Sequence, residues 1–335
     1  MGIAADWNEP NSTSSRDIAA ALRAMEGKLG WFAHPIYFGD YPESMKTEFG
    51  IRGQNILYTY RNGQRFSRQE KSLIKGSNDY FALGHYTTSF VANSLKRGVD
   101  GEYFTVENPR SPIIVQSQST AWLQSAGWGL RKVLKHVHDT YTHSDVKIDG
   151  QKSPRQSILI IESAWADVFA DELQDKSRAT LFANYTSELS KSINEDGVDV
   201  SGFLAWSAFD QFEWSAGYNQ RFGFVKTVFQ TGEDPNAPAQ NPSNPALGGS
   251  VSFLRKDSSC WFQELWANGT LANPFEFNGC TDSQRYEYYD VAGLAIPDAT
   301  ATAGDTAYTG DDDGAVVGEV QPRMLVEGAI PINQP

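Results

Sequence analysis

Carboxylates and aromatic side chains gather in one segment of the chain, between residues 202 and 223. An apolar run there gives way to the polar and aromatic residues Asp210, Glu213, Trp214, Tyr218 and Arg221. A sugar fits such a surface, because its C–H face stacks on an indole and a pair of its hydroxyls takes a carboxylate in charge-assisted bonds. The alternative is an amphipathic helix with buried aromatics. Glycines 217 and 223 bracket the cluster, which favours a sugar-binding loop over that helix.

A second carboxylate, Glu162, directly follows the continuously apolar run Ile158 to Ile161. Such a run is typical of a parallel strand that is buried on both faces. In a barrel of alternating strands and helices, the chemistry lies on residues at the carboxyl ends of the strands. Taken alone, Glu162 would be interpreted as an exposed residue where a strand meets a loop, which is a common arrangement. Together with the cluster around Glu213, it is a candidate nucleophile or general base.

Short apolar runs alternate with helical periodicity along the chain, a pattern that is typical of βα units. The strand candidates are Phe81 to Leu83, Ile158 to Ile161, Val198 to Ala205 and Phe224 to Val228. The helix candidates place Ile18, Ala21, Leu22 and Met25 on one face, Leu130, Val133, Leu134, Val137 and Tyr141 on a second, and Phe182, Tyr185, Leu189 and Ile193 on a third. The pattern predicts an α/β fold, and 335 residues accommodate a (β/α)8 TIM-type barrel.

The carboxylate and aromatic segment resembles the eighth strand and following loop of glycoside hydrolase family 1, the β-glucosidase family. The family pattern there is W-S-x-x-D-N-F-E-W-x-x-G-Y-x-x-R-F-G, and only Gln211 departs from it, where the family has Asn. The resemblance implies that Trp206 forms the floor under the glycone, that Glu213 holds a hydroxyl pair and that Trp214 donates its indole N–H. It also places Phe222 among the substrate-binding residues.

Two further segments are similar to the same family. Glu162 stands where the family ends its seventh strand in I-T-E-N-G, so the resemblance implies that Glu162 attacks the anomeric carbon, although the family Asn and Gly are not kept. Residues 79–88 are similar to the sixth strand, D-F-x-G-x-N-[HY]-Y-T-S. This implies that the Tyr86 hydroxyl stabilises the ionised nucleophile through a hydrogen bond. Gly84 replaces the family Asn in that segment.

A retaining glycosidase needs a second carboxylate, an acid/base, about 5–5.5 Å from the nucleophile. The family supplies it from a T-F-N-E-P motif at the end of its fourth strand, and Asn8-Glu9-Pro10 is the comparable run in this chain. The residues around that run, however, resemble the fifth strand and the region after it. We therefore expect Glu9 to lie outside the proton-transfer position and the acid/base to be absent from this chain.

The order of the motifs implies that residues 1–280 form a partial barrel with about the last four βα units, the fifth to the eighth. Half a barrel leaves two unpaired sheet edges and an uncovered apolar interior. We expect a partner for those edges, either the amino-terminal half of the barrel or a second copy of this chain. Residues 230–250 are predicted to be a proline-rich loop insertion, and residues 281–335 an acidic, poorly ordered tail.

Composition disfavours several classes of function. The formal net charge of −13 argues against nucleic acid or an anionic membrane as partner. No C-x-x-C motif or His cluster is present, so we expect no metal site and no cofactor. The opening residues do not resemble a signal peptide, and no apolar stretch approaches membrane-spanning length. Sequons at Asn11, Asn184 and Asn268 nevertheless favour a secretory compartment. Cys260 and Cys280 are compatible with two thiols or with one disulfide.

Three interpretations follow from these observations. The first is a β-glucosidase-like retaining hydrolase that acts on β-glycosides, with Glu162 as its nucleophile; these motifs leave the aglycone and the glycone open. The second is a catalytically inactive glycan-binding or scaffolding fragment, which the altered loop after Glu162, the substitution at Gly84 and the missing acid/base favour. The third is a truncated product that does not fold alone.

Overall fold

The computed structural model describes residues 2–45, 66–93, 103–106, 115–117, 120, 122–143, 147–148, 151–152, 156–166, 173–229, 251–269, 273–274 and 276–286. The chain divides into two compact units, Met1–Asp171 with Ser177–Gly223, and Glu172–Lys176 with Phe224–Pro335. The predicted insertion at 230–250 and residues 287–335 of the predicted tail lie outside the described residues. The predicted division into a barrel of residues 1–280 and a tail therefore stays a prediction.

The strands in the described part of the chain are short. They are β1 (Gly2–Ala4), β2 (Trp7–Pro10), β3 (Phe81–Gly84), β4 (Thr88–Asn93), β5 (Tyr103–Val106), β6 (Val115–Gln116), β7 (Gln124–Ser125), β8 (Lys147–Ile148), β9 (Gln151–Lys152), β10 (Ile158–Glu162), β11 (Val200–Phe203), β12 (Val225–Phe229) and β13 (Val251–Arg255). The predicted strands at 81–83, 158–161, 198–205 and 224–228 correspond to β3, β10, β11 and β12, with shifts of a few residues at their ends.

The helices lie between these strands and after the last of them. They are α1 (Ser15–Met25), α2 (Trp31–Phe38), α3 (Arg68–Ile74), α4 (Gly127–Val137), α5 (Lys176–Asn194), α6 (Asp257–Asn268) and α7 (Asp282–Tyr286). Ser14 caps the start of α1, because its hydroxyl accepts a hydrogen bond from the Asp17 N–H. Turns of π-helix follow α1 at Glu26–Gly30 and α4 at His138–Thr142. Over the described ranges, none of the helices is long and apolar enough to cross a membrane.

Four parallel strands form the central sheet, in the order β1-β3-β10-β11. Their register aligns Ile3, Leu83, Ile160 and Phe203, and all four side chains are buried. Parallel neighbours need long crossover connections, and the helices between these strands supply them. One of those helices covers the aligned face, since the Phe182 ring of α5 packs edge-on against Phe203.

The opposite face of this sheet is only partly covered. Leu159 and Ile161 are half-exposed although Ile158 and Ile160 of the same strand are fully buried, and Leu204, directly after β11, is 54% exposed. The prediction that the strand at 158–161, now β10, is buried on both faces is therefore wrong for one of its faces. The reason is that four strands do not close a barrel, so side chains that would fill a barrel interior face no opposing strands within the described ranges.

Helix α1 packs on a smaller sheet, β2-β4-β5. The face that α1 turns towards this sheet differs in part from the predicted one. Ala20 and Ala24 are fully buried and pack with Val91 of β4. Of the four residues on the predicted face, Ala21 and Met25 are buried as expected, whereas Ile18 and Leu22 are 51% and 50% exposed. The physical reason is size: alanines let the helix backbone approach the sheet closely, and this contact rotates the larger side chains away from it.

Helices α4 and α5 largely match their predicted faces. The predicted α4 residues at 130, 133, 134 and 137 are fully buried, and Tyr141 in the following turn is 3% exposed. On α5, Phe182, Tyr185 and Leu189 are buried while Ile193 is half-exposed. Helix α4 lies close to β4 at Gly129: a Cβ added to this glycine would come within 1.8 Å of the Thr88 hydroxyl.

The second unit contains the antiparallel hairpin β12-β13 and helix α6. Cys260 of α6 forms a disulfide with Cys280, so the alternative of two thiols is wrong. Asp257, at the start of α6, accepts hydrogen bonds from the Cys280 N–H (3.0 Å) and from Arg285 (2.7 Å). The segment around Cys280 is therefore attached to α6 by a covalent bond and by a buried carboxylate.

Candidate active site

Glu162 and Tyr86 meet at the carboxyl end of the parallel sheet. Glu162 is the last residue of β10, and Tyr86 lies two residues beyond the neighbouring strand β3. The Tyr86 hydroxyl donates to Glu162 Oε2 over 2.5 Å. Burial and the hydrogen bond to Glu162 raise the pKa of Tyr86 far above its ordinary value, so the hydroxyl stays protonated and remains a donor. A donor held in this way fixes the orientation of the Glu162 carboxylate.

Glu213 faces the same end of the sheet from the loop that follows β11. Its side chain is half-buried. Burial raises the pKa of Glu213, the charge of Glu162 raises it further, and a hydrogen bond from Gln211 acts in the opposite direction. The charge of Glu213 also raises the pKa of Tyr86. Two carboxylates and a phenol therefore act on one another electrostatically, although they come from three different strand ends.

Trp206 connects the loop after β11 to the loop after β10, and Phe222 joins two parts of the loop after β11. The Trp206 N–H donates to the carbonyl of Ser163, the residue after Glu162, over 2.8 Å. The Ser207 N–H donates to the Phe222 carbonyl over 3.0 Å. Trp206 is half-buried and follows the sheet edge, whereas Phe222 is 3% exposed. In this arrangement the Phe222 ring supports the loop from within, and Trp206 offers the more accessible surface.

Trp214 lies at the outer end of a tight turn. It is 83% exposed and has a positive φ of 43°. The turn closes when the Glu213 N–H donates to the Gly217 carbonyl over 2.6 Å, and Gly217 itself has φ 61°, a conformation that glycine adopts without steric cost. An indole presented to solvent beside a carboxylate is suited to a flat, hydroxylated ligand.

Arg178 is an important residue that sequence reasoning missed. It lies in α5, is fully buried, and donates to the carbonyls of Trp165, Arg221 and Gly223. These carbonyls belong to the loops that follow Glu162 and Glu213. A signal was present in the sequence: Arg178 lies one helical turn before Leu181 and Phe182, in line with the buried face of α5. An arginine on an apolar face indicates a buried guanidinium with specific partners.

Glu9 lies in β2, outside the parallel sheet that carries Glu162. Both of its carboxylate oxygens accept hydrogen bonds from Lys132 of α4, at 2.7 and 2.8 Å, and one also accepts from the Trp7 indole at 2.6 Å. Lys132 in turn lies 5.0 Å from the Trp128 ring centroid. This salt bridge holds the end of β2 against α4, a structural role that agrees with the expectation that Glu9 is not the acid/base.

No metal-binding cluster was found among the described residues, which include all the predicted site residues. The described site residues supply carboxylates, a phenol and indoles. Such a set can attack an electrophilic carbon, hold hydroxyl groups and stack on a sugar ring.

Residues 1–245 match the family model described as Glycosyl hydrolase family 1. Beta-glucosidase 40 of Arabidopsis thaliana is 36% identical over 236 residues, which cover 67% of this chain and 43% of that protein. The human lactase-like protein is 32% identical over 245 residues, covering 71% of this chain and 41% of that protein. The chain thus spans somewhat less than half the length of these curated relatives.

The same partial correspondence holds for solved structures. Rice Os3BGlu6 β-glucosidase superposes with a TM-score of 0.62 at 30% identity, covering 79% of this chain and 50% of that chain. A β-glucosidase from the fungus Humicola insolens, solved in complex with glucose, superposes with a TM-score of 0.61 at 27% identity, again over 79% and 50%. These similarities confirm the predicted family resemblance and the predicted partial α/β barrel.

Proposed function

Since the chain belongs to glycosyl hydrolase family 1, we propose that it carries the nucleophile and the glycone-binding residues of a β-glucosidase-like retaining hydrolase. The observation that carries this proposal is the hydrogen bond from Tyr86 to Glu162, with Glu213 acting electrostatically on both. When Glu162 is ionised and one of its oxygens accepts the Tyr86 hydrogen bond, its other oxygen can attack the anomeric carbon.

The proposed reaction uses Glu162 as a covalent nucleophile. One Glu162 oxygen forms an ester bond to the anomeric carbon while the bond from that carbon to the leaving oxygen breaks, and water then hydrolyses the glycosyl ester. Glu213 would hold a pair of glycone hydroxyls, Trp206 would lie beneath the ring, and the exposed Trp214 indole would donate an N–H to it. Phe222 contributes by supporting this loop from its buried side.

Covalent trapping tests the nucleophile directly. A 2-deoxy-2-fluoro-β-glucoside with a dinitrophenyl leaving group slows hydrolysis of the ester more than its formation, so the label accumulates. We expect intact-mass analysis to show one added fluoroglucosyl group and peptide mapping to place it on Glu162. Glu162→Gln should abolish labelling, while Glu188→Gln, a half-buried glutamate of α5 paired with Lys191, should not. Labelling at another residue would overturn the assignment.

We further propose that the acid/base carboxylate is not among the residues of this chain, which would limit the range of its substrates. General acid catalysis is worth about 10²- to 10⁴-fold, so the chain alone should cleave aryl glycosides with activated leaving groups and leave cellobiose intact. Glu9, engaged by Lys132 and Trp7, would not supply the proton. Cellobiose turnover that Glu9→Gln abolishes would disprove this part of the proposal.

A second candidate is a non-catalytic glycan-binding protein. The exposed Trp214 beside Glu213 favours it, because stacking and hydroxyl binding need no nucleophile. It predicts that glucose or cellobiose quenches tryptophan fluorescence while the fluoroglucoside leaves no label. A burst of released dinitrophenol at the concentration of the chain would rule it out in favour of the hydrolase.

The unpaired edges of the central sheet suggest that this chain has a polypeptide partner. Within the described residues, β1 and β11 each pair with one strand only, and neither contains a charged residue or proline to protect its edge. We propose that a polypeptide pairs with these edges, either an amino-terminal half-barrel or a second copy of this chain. Light scattering on the purified chain distinguishes the two, since self-association gives twice the mass and a monomer argues for a different chain.

A further inference from the structure

The carboxylate of Asp6 is bound to the backbone that presents Tyr86. Asp6 lies between β1 and β2, and its Oδ1 accepts hydrogen bonds from the N–H groups of Tyr86 (3.0 Å) and Thr87 (2.9 Å). A single carboxylate oxygen thus satisfies two consecutive peptide donors. Hydrogen bonds to an ionised acceptor are about twice as strong as neutral ones, so Asp6 is a firm attachment point for this segment.

The segment needs such an attachment because it belongs to no strand. Residues 85–87 connect β3 to β4. The Tyr86 carbonyl accepts from the Tyr185 hydroxyl at 3.2 Å, and the Thr87 hydroxyl donates to the Gln124 carbonyl at 2.9 Å. These contacts hold the carbonyl and side-chain sides of the segment, whereas Asp6 holds the N–H groups of Tyr86 and Thr87, and the His85 N–H donates to the Glu162 carbonyl at 2.9 Å. The position of the Tyr86 ring therefore depends on four elements: the β1–β2 connection, β7, β10 and α5.

Glu162 depends strongly on that ring. Within the described ranges, no side chain other than Tyr86 donates a hydrogen bond to the Glu162 carboxylate. At the strand end beside it the chain has Gly84, which contributes no side-chain donor. A displaced Tyr86 would leave the carboxylate without its donor, and the direction in which Glu162 points would no longer be held.

The charge of Asp6 acts in the same direction as its hydrogen bonds. It contributes to raising the pKa of Tyr86, behind burial and the neighbouring glutamates, and so helps to keep the phenol protonated. It also opposes the lowering of the His85 pKa that burial causes. The effect of Asp6 on the phenol is therefore mainly positional, since a phenol is protonated at neutral pH even at its ordinary pKa.

We propose that Asp6 is a positioning residue for the nucleophile: its carboxylate holds the Tyr86–Thr87 backbone so that the Tyr86 hydroxyl stays on Glu162. The inference rests on the proposed hydrolase function, because Glu162 must act as a nucleophile for its orientation to affect a rate. Asp6 touches neither the substrate nor the reacting atoms in this scheme.

Three variants of the full chain test the proposal. Asp6→Ala removes both hydrogen bonds and the charge, whereas Asp6→Asn keeps an oxygen that can accept both bonds and removes only the charge. Asp17→Asn is the matched control, because Asp17 also accepts a backbone N–H, that of Asn93 at 2.8 Å, but lies at the start of α1. Each variant is labelled with the dinitrophenyl fluoroglucoside, and hydrogen exchange is followed in the peptide that contains Tyr86 and Thr87.

Asp6→Ala should slow labelling of Glu162 by about ten- to a hundred-fold, the range that a displacement of about 1 Å produces. The inhibitor concentration at half-maximal rate should change less than about three-fold, because Asp6 does not bind the sugar. Exchange at residues 86–87 should accelerate. Asp6→Asn should recover most of the rate, and Asp17→Asn should match the unmodified chain in both measurements.

The outcomes separate this inference from the function on which it rests. If the unmodified chain is labelled and Asp6→Ala labels equally fast, the positioning role is wrong and the hydrolase proposal stands. If the unmodified chain is not labelled, the nucleophile proposal fails and the inference fails with it. A loss in Asp17→Asn as large as that in Asp6→Ala would also overturn the inference. If Asp6→Ala does not fold, Asp6→Asn decides: a loss as large as that expected for alanine would show that the hydrogen bonds are insufficient.

Discussion

Replacing Arg178 by alanine should destabilise the unit that contains both candidate glutamates. The guanidinium is fully buried and makes four hydrogen bonds to three carbonyls: two to Trp165 at 3.1 Å, one to Gly223 at 2.7 Å and one to Arg221 at 2.8 Å. Because these carbonyls lie in the loops that follow β10 and β11, the variant should loosen both loops together.

The magnitude follows from the groups left behind. A buried carbonyl that loses its donor costs about 1–3 kcal/mol, so three carbonyls cost of the order of 3–6 kcal/mol even when water reaches some of them. Native domains are stable by about 5–15 kcal/mol, and the loss is therefore a large part of the total. For a unit of this size it corresponds to a fall in Tm of roughly 10 °C.

Urea unfolding followed by tryptophan fluorescence measures this loss. Arg178→Lys keeps the charge but presents it as one compact ammonium group, so its stability should lie between those of the unmodified chain and Arg178→Ala. Arg131→Ala is the control, since Arg131 pairs with Asp196 and Glu195 at the surface and such pairs contribute about 1 kcal/mol or less. An Arg178→Ala variant no less stable than Arg131→Ala would refute the reasoning.

Three further predictions concern pH, the disulfide and helix packing. Because the pKa of Glu213 is raised in the folded state, its ionisation disfavours folding, and Glu213→Gln should be more stable than the unmodified chain at pH 7. This difference in stability should vanish below about pH 4, where the carboxyl is protonated in the unfolded chain as well. Unfolding measured from pH 4 to pH 7 would show no such trend if the pKa of Glu213 is not raised. Replacing Cys260 and Cys280 by serine should lower the free energy of unfolding by about 3 kcal/mol, the loop-closure entropy for their separation of 20 residues. Hydrogen exchange should become faster in the second unit. Faster exchange confined to the first unit would contradict the pairing of the two cysteines. Gly129→Ala should lower the free energy of unfolding by about 1–3 kcal/mol, because the added Cβ overpacks against β4. Gly27→Ala should leave the free energy of unfolding unchanged, because its Cβ would meet nothing within 4 Å. Equal melting temperatures for the two variants would contradict the close approach of α4 to β4.

The sequence allowed the strand ends and the candidate residues on them to be predicted. Glu162 follows an apolar run that does form β10, and Tyr86 follows a shorter run that forms β3. Both are local patterns, in which the residues that make the strand are next to the residue that carries the chemistry. The faces of α4 and α5 were predictable for a similar reason, since large apolar side chains at helical spacing are generally buried.

Contacts between distant residues were predicted less well. The periodicity of α1 placed Ile18 and Leu22 in the core, whereas the small Ala20 and Ala24 allow the close approach to the sheet. The pairing of the two cysteines was open, and Arg178 was not identified. Each of these outcomes depends on which segments become neighbours, and composition along the chain does not specify that.

The sequence by itself determined the family, the strand ends at which chemistry would lie, and the residue types available there. The tertiary structure decided which of those residues act together: Tyr86 donates to Glu162 across 76 positions of sequence, and Asp6 holds Tyr86 across 80. The physical reason is that parallel pairing of β1, β3 and β10 brings their carboxyl ends to one edge. Hydrogen bonds act only over about 3 Å, so their partners are decided by the packing of strands and not by the spacing of residues.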